Sequence, residues 1–390
     1  MKIERRTSTI RSSCALALCA ILFILSSCRH EDIVIPTEEE EVGAKDTTEI
    51  VGFYLLNEGN MGSNKATLDY YDYASATYRR NIYADANPDV PKELGDVGND
   101  LQLYGNKLYA VINCSNKIEV MDARTAKRLG LIDIPNCRYV CFKGPDGYVR
   151  TYAGPVVADA SHAQIGYVAR FDTATLEIID RCEVGYQPDE LTVIGNKLYV
   201  ANSGGYMMPD YDNTVSVINL ITFTEEKRIT VAKNLHRVRA DQYGCLWVTS
   251  RGDYYNIPAK LYCIDSKTDI VIDSLDIAVS DLDIVGDSLF ACATAWDYEE
   301  MEDVISYTIV DVRAREVVCR NFITDDSDLR IKKPYGIRIH PRTHEIYLTD
   351  AKNYVNPGDL YCFSSDGTMK WTVRTGDIPA HIVFIPKQAE

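Results

Sequence analysis

From residue 50 onward the chain has no amphipathic stretch of ten or more residues at helical spacing. Helical bundles and alternating strand–helix folds are therefore excluded. It also has no HExxH, no GxSxG, no Walker loop and no GxGxxG following a strand. The usual signatures of zinc proteases, α/β-hydrolases, nucleotide hydrolases and dinucleotide enzymes are thus missing. Basic residues are outnumbered, 41 Lys and Arg against 57 Asp and Glu, for a formal net charge of −16. Such an acidic chain argues against nucleic acid and against direct attraction to anionic lipid. The cysteines have no CxxC or zinc-like spacing. The acidic run "DDSD" (325–328) lacks the ligand spacing of a calcium loop and reads as a solvated turn. No catalytic residue and no catalytic metal is expected.

What is there is repetition. The pentapeptide GNKLY occurs at 105–109 and again 90 residues later at 195–199. A strand, a D/N-x-x-T/S-type turn and a second strand recur seven times, starting at 66, 117, 166, 214, 260, 306 and 359. Before each hairpin runs a short apolar segment, then a Gly-, Asn- or Asp-containing turn, then a strand such as "KLYAV", "KLYVA" or "EIYLT". These turn residues tolerate the positive φ that tight hairpins need. Four strands in each roughly 46–53-residue repeat predict a propeller. The final inner strand, "PAHIVFIP" (379–386), lacks a partner within its own repeat, and "VGFYLLNEG" (51–59) supplies one. We therefore expect an all-β, seven-bladed β-propeller over residues 50–386 whose N- and C-terminal segments share one blade, leaving a tail at 387–390. Such closure pairs edges that would otherwise be exposed.

Residues 1–27 stand outside that fold. A basic segment, "MKIERRTSTIR", precedes an apolar run of about a dozen residues, too short to span a bilayer, and "LSSC" ends it. The small-residue pair before Cys28 resembles a bacterial lipobox, which implies cleavage before Cys28 and its lipidation, so that a lipid holds the protein at a membrane it does not cross. Removing a leader of net charge +3 leaves −19. Residues 28–49 are expected to be an acidic flexible tether. Nine cysteines remain after Cys14, Cys19 and Cys28 are set aside. Most sit in apolar strands as small hydrophobes. Cys114 in "VINCSN" and Cys137 in "IPNCRY" fall in loops on one face, so a Cys114–Cys137 disulfide is expected there, with two free thiols as the alternative.

In a propeller the loops entering the inner strands and the loops between second and third strands share one face. Aligning the repeats puts one residue per blade near the channel mouth: Asp100, Tyr139, Glu190, Arg237, Asp281, Gly336 and His381. Ligand contact and structural bonding of the strand entrances both suit such a polar ring. Asn99, Arg138 and Tyr335 adjoin it. The rim loops carry Tyr152, Tyr206, Tyr211, Tyr254, Tyr255, Trp296, Tyr298 and Tyr354. Aromatic side chains with a polar handle give large contact areas at little entropic cost. Asn, Asp, Arg and Ser between them suit a ligand rich in amides and hydroxyls: a polysaccharide, a corrinoid or a protein surface. The expected ligand-binding set is Asn99, Asp100, Arg138, Tyr139, Glu190, Tyr206, Arg237, Tyr254, Asp281, Trp296, Tyr335, Tyr354 and His381.

The lipobox, the acidic tether, "GFYLLNEGNMGSNKATLDYYDY", "NKLYAVINCSNKIEVMD", "GYQPDE", "NKLYVANSGG", "SRGDYY" and "GDIPAH" together resemble the YncE-like seven-bladed lipoproteins of Bacteroidetes, and among them the BtuG type. That resemblance covers essentially the whole mature chain. It implies a non-enzymatic protein, lipid-anchored in the outer membrane and facing the cell exterior. Such a protein binds cobalamin or a related corrinoid as ligand rather than cofactor and passes it to a TonB-dependent transporter. His381 or His236 could then ligate the corrin cobalt, with ordinary hydrogen bonding as the competing role. A surface glycan-binding propeller is the alternative reading.

Overall fold

A computed structural model describes residues 36–46, 49–90, 93–156, 161–297 and 301–387. The expected leader, the expected lipidation site Cys28 and Tyr298 lie outside the described residues. Seven antiparallel sheets form the ring. We number the blades from the inner strand outward in chain order: blade 1 at 98–133, blade 2 at 137–186, blade 3 at 188–230, blade 4 at 235–275, blade 5 at 281–319 and blade 6 at 334–377. Blade 7 takes its inner strand from Pro379–Pro386 and its remaining strands from Ile50–Asn57, Thr67–Asp72 and Thr77–Arg80. Phe53 pairs with Phe384 and Leu56 with His381, so the two ends of the chain close the ring as the sequence predicts. The seven inner strands lie side by side around the axis.

The core is distributed rather than central. Seven buried clusters each join residues of two neighbouring blades. Tyr109 and Val111 of blade 1, for example, pack on Val149 and Phe171 of blade 2. Each strand alternates side chains between its two neighbours, so one sheet contributes to two interfaces. The recurring D/N-x-x-T turn closes the outer hairpins. Asp122 Oδ1 accepts from the Thr125 amide (2.9 Å) and Asp172 Oδ1 from the Thr175 amide (2.7 Å). The next residue then enters the left-handed region, at φ 53–65° for Ala76, Ala126, Leu176, Phe223, Asp269 and Arg315. A type I turn followed by such a residue is a standard three-residue hairpin connection.

Two expectations are corrected. The segment expected to be tether folds in part, because Glu38–Glu41 adds a fifth strand to the outer edge of blade 7. Its carboxylates meet the only basic pair on that edge strand: Glu39 reaches Arg79 Nε at 2.8 Å, and Glu38 and Glu40 both bind Arg80. The Cys114–Cys137 disulfide is not formed, and both thiols are free. Cys137 opens the inner strand of blade 2 and turns into the blade interface, where its Sγ donates to the Lys117 carbonyl at 3.4 Å. Cys114 is exposed in the loop above it.

Candidate functional site

The inner strands have an open edge toward the axis, and their amides need partners. The ring residues supply them. Asp100 Oδ2 accepts from the Val140 amide (2.9 Å), Glu190 Oε2 from Val238 (2.9 Å) and Asp281 Oδ2 from Ile337 (3.0 Å). Each carboxylate thus fastens its blade to the next one. Gly336 makes the join from blade 6 to blade 7 by contact alone, since a Cβ there would lie 1.9 Å from the Ala380 carbonyl oxygen. The ring is brought together as expected, but all seven members are buried. Four of them are occupied by structural joins.

Across this floor runs an alternating stack of cations and rings. Arg138 lies over Tyr152 at 4.8 Å, Arg150 over Tyr152 and over Tyr139 at 5.1 Å each, and Arg237 over Tyr139 at 5.3 Å. Tyr139 in turn meets the His381 ring edge-on at 6.2 Å. His381 Nε2 stands 3.4 Å from Glu58 Oε1, and the Tyr335 hydroxyl donates to Glu58 Oε2 at 2.8 Å. Burial opposes the charge on Arg237, but Tyr139, Asp281 at 3.1 Å and Glu190 at 3.8 Å hold its pKa well above the ordinary value. Arg239 also binds Glu190. For His236 every influence runs the same way. Burial first, then Arg251, Arg237, Arg138 and Arg150, push its pKa far down and keep the imidazole neutral. Burial raises the pKa of Asp100, with the nearby His381 opposing.

The ring residues Asp100, Tyr139 and Glu190 border a cavity of about 260 Å³ that Gln102, Arg239, Asp283 and Arg338 also line. Its carboxylates are used again, since Asp283 accepts from the Ile339 amide (2.8 Å) and faces Arg338 at 3.8 Å. Among the described residues no group of three or more His, Cys, Asp or Glu is placed to hold a metal ion.

The rim differs from the floor. Among the described residues, thirteen of the twenty exposed large apolar side chains belong to the loops or strand ends of this one face. They include Tyr206, Tyr254, Tyr255, Trp296 and Tyr354, whereas Tyr152 (4%) and Tyr211 (8%) are buried and belong to the floor and the loop packing. Two of the loops present their tyrosines with the same local device. Asp253 Oδ1 accepts from the amides of Tyr255, Asn256 and Ile257 at 2.8–3.0 Å. Asn353 Oδ1 accepts from Val355 and Asn356 at 3.1 and 2.9 Å. In each case the following tyrosine, Tyr254 or Tyr354, is held at φ 62–63°. A tyrosine in that region is strained and persists only where its surroundings impose it, and such strain collects at functional loops. Tyr354 meets the ring of Tyr335 edge-on at 5.9 Å, and Tyr254 that of Tyr211 at 6.4 Å. Trp296 rides on a long hairpin of blade 5, opposite Asp303, which Lys333 binds at 2.5 Å. Tyr206 is fixed through its amide, which donates to Gln187 Oε1 at 2.7 Å. Asn99 lies beside the ring with its Oδ1 buried and unbonded.

Sequence reasoning passed over Arg150, Asp189, Arg251 and Glu58. Arg150 did carry a signal: it interrupts the apolar central strand "DGYVRT" at an inward position, where a cation is rarely tolerated without a role. The other three gave none, because Asp189 and Arg251 pair across blades and Glu58 meets Tyr335 and His381, which lie at the far end of the sequence.

The chain belongs to the DUF5074 family, described as a domain of unknown function, which matches residues 51–384. No curated protein matches it. Among solved structures it is similar to the hydrazine synthase of Kuenenia stuttgartiensis, at 15% identity and a TM-score of 0.58, over 73% of this chain and 88% of that one. It is also similar to the WD40 domain of Neurospora crassa Pan2, at 10% identity and a TM-score of 0.50, over 70% of this chain and 78% of that one. Likeness at these identities establishes the propeller fold alone.

Proposed function

We propose that the mouth face captures cobalamin or a related corrinoid. In this reading the chain is a lipid-anchored binding protein of the outer membrane, facing outward, that passes its cargo to a TonB-dependent transporter. The observation that supports it is the concentration of exposed aromatic and apolar side chains on one face, around a floor of fixed charges. Exposed apolar groups gathered on one face mark a recognition surface. A corrin is flat, wide and edged with amides. Trp296, Tyr206, Tyr254 and Tyr354 would cover its faces, while Asn99 and the loop backbones would bond its amides. The proposal includes cobalt ligation by His381, whose Nε2 is buried 3.4 Å from Glu58 Oε1 and would have to turn from that carboxylate to reach the metal.

The test is direct. The chain from residue 36 onward contains the whole propeller as one compact unit. It is mixed with a slight excess of cyanocobalamin and passed over a sizing column while visible absorbance is recorded. Red colour is expected to travel with the protein. Colourless protein, with all pigment in the small-molecule fraction, would remove the corrinoid reading, and binding to surface polysaccharide would then be measured instead. If His381 ligates cobalt, His381→Ala changes the visible spectrum of the bound corrinoid; an unchanged spectrum excludes it.

A further inference from the structure

Beneath the rim the guanidinium groups of Arg150 and Arg251 share the carboxylate of Asp189, and that of Arg138 lies over the same Tyr152 ring as Arg150. Arg150 is fully buried, and its Nη2 donates to Asp189 Oδ1 at 3.0 Å. Its Nε and Nη1 have no partner, and neither has the Nε of Arg138. Arg251 takes the other oxygen of the same Asp189, at 3.3 Å. An unpaired buried donor costs about 1–3 kcal/mol, and more when it is charged. A folded protein keeps such a group where something completes it or where the deficit has a use. The tyrosine rings on either side soften the cost but accept no N–H in the guanidinium plane. In a chain whose formal net charge is −16, this pocket of excess positive charge is the exception.

We propose that Arg138, Arg150 and Arg251 form an oxyanion subsite that takes a phosphate ester or a carboxylate. Arg251 keeps about a third of its side-chain surface exposed and Arg138 is half-buried, so these two meet the anion. Arg150 lies behind Tyr152 and supplies charge from below. The planar fork of arginine matches two oxygens of one anion, which a lysine does not. Built on the reading of the mouth as the binding face, the subsite deepens it: the preferred corrinoid is one that carries the nucleotide-loop phosphodiester.

The probe is inorganic phosphate. Sodium phosphate, compared with sodium chloride at equal ionic strength, is expected to raise Tm saturably, and Arg138→Gln and Arg251→Gln are expected to abolish the effect. Because Arg251 is partly exposed and Arg150 still holds Asp189, Arg251→Gln should fold. The second arm compares cyanocobalamin with dicyanocobinamide, which lacks the phosphodiester. Wild type should favour cobalamin by about tenfold, the yield of one good charge-assisted contact, and Arg251→Gln should bind the two alike. Phosphate acting no differently from chloride, with the two corrinoids bound alike by wild type, overturns the subsite and leaves corrinoid capture standing. Phosphate binding with no corrinoid bound keeps the subsite and removes the corrinoid reading.

Discussion

Arg237 and Arg150 are both buried cations, and both lie against the ring of Tyr139. On the blade 4 side Arg237 faces Asp281 and Glu190 and is fully compensated. On the blade 2 side Arg150 shares its one carboxylate with Arg251 and leaves two donors unpaired. The first is a structural joint of the ring. The second is the kind of deficit that a ligand can fill. Lying side by side, they show that a polar ring in a propeller need not do one job all the way round.

Removing Arg237 tests the first half of that contrast. Arg237→Met would leave Asp281 buried without its cation and Glu190 with Arg239 alone, and should cost about 3–5 kcal/mol in urea unfolding. Arg150→Met leaves Asp189 paired with Arg251 and should cost less than half as much. Equal losses would break the comparison.

The next effect is pH. The folded-state pKa of His236 lies well below its ordinary value near 6.5, so the unfolded chain binds the proton first. The stability this histidine contributes is therefore complete above about pH 6.5 and drains away as pH falls, by up to about 1.4 kcal/mol per pH unit. Asp100, whose pKa burial raises, works in the opposite sense, gaining stability on acidification. The difference between wild type and His236→Asn between pH 7 and pH 5 isolates the histidine, and a constant difference would show that it is not held neutral.

Smaller effects belong to the surface. Trp296→Ala and Tyr354→Ala should each change stability by less than about 0.5 kcal/mol, since both side chains are exposed. Either should still weaken ligand binding about tenfold, as truncating an aromatic anchor does. Deleting the edge strand Glu38–Glu41 should cost less than about 1 kcal/mol, and added salt should shrink the loss, because its ion pairs with Arg79 and Arg80 are exposed.

The fold was legible because a propeller writes its plan seven times. Each D/N-x-x-T turn marked an outer hairpin, and the orphan strand 379–386 pointed to its partner at 51–59. The ring residues were legible as positions, since each repeat aligns on its inner strand. Their work was not, because Asp100, Glu190 and Asp281 spend their oxygens on amides of the next blade, a pairing across about 40–56 residues that no local pattern encodes. The rim was half legible. Exposed tyrosines and buried ones look alike in sequence, and Tyr152 and Tyr211 turned inward. The acidic tether misled because a run of four glutamates reads as disorder until the Arg79–Arg80 edge is known to lie beside it.

The central claim is that recognition belongs to the mouth face and not to the opposite one. Tyr243 gives the control: it is exposed at a hairpin tip of the far face, with its hydroxyl donating to Asp287 at 2.5 Å. Cyanocobalamin is titrated into wild type, Trp296→Ala and Tyr243→Ala, and the dissociation constants are compared. Binding weakened about tenfold by Trp296→Ala and unchanged by Tyr243→Ala is the predicted result. Equal affinities in all three, or a loss confined to Tyr243→Ala, would contradict it.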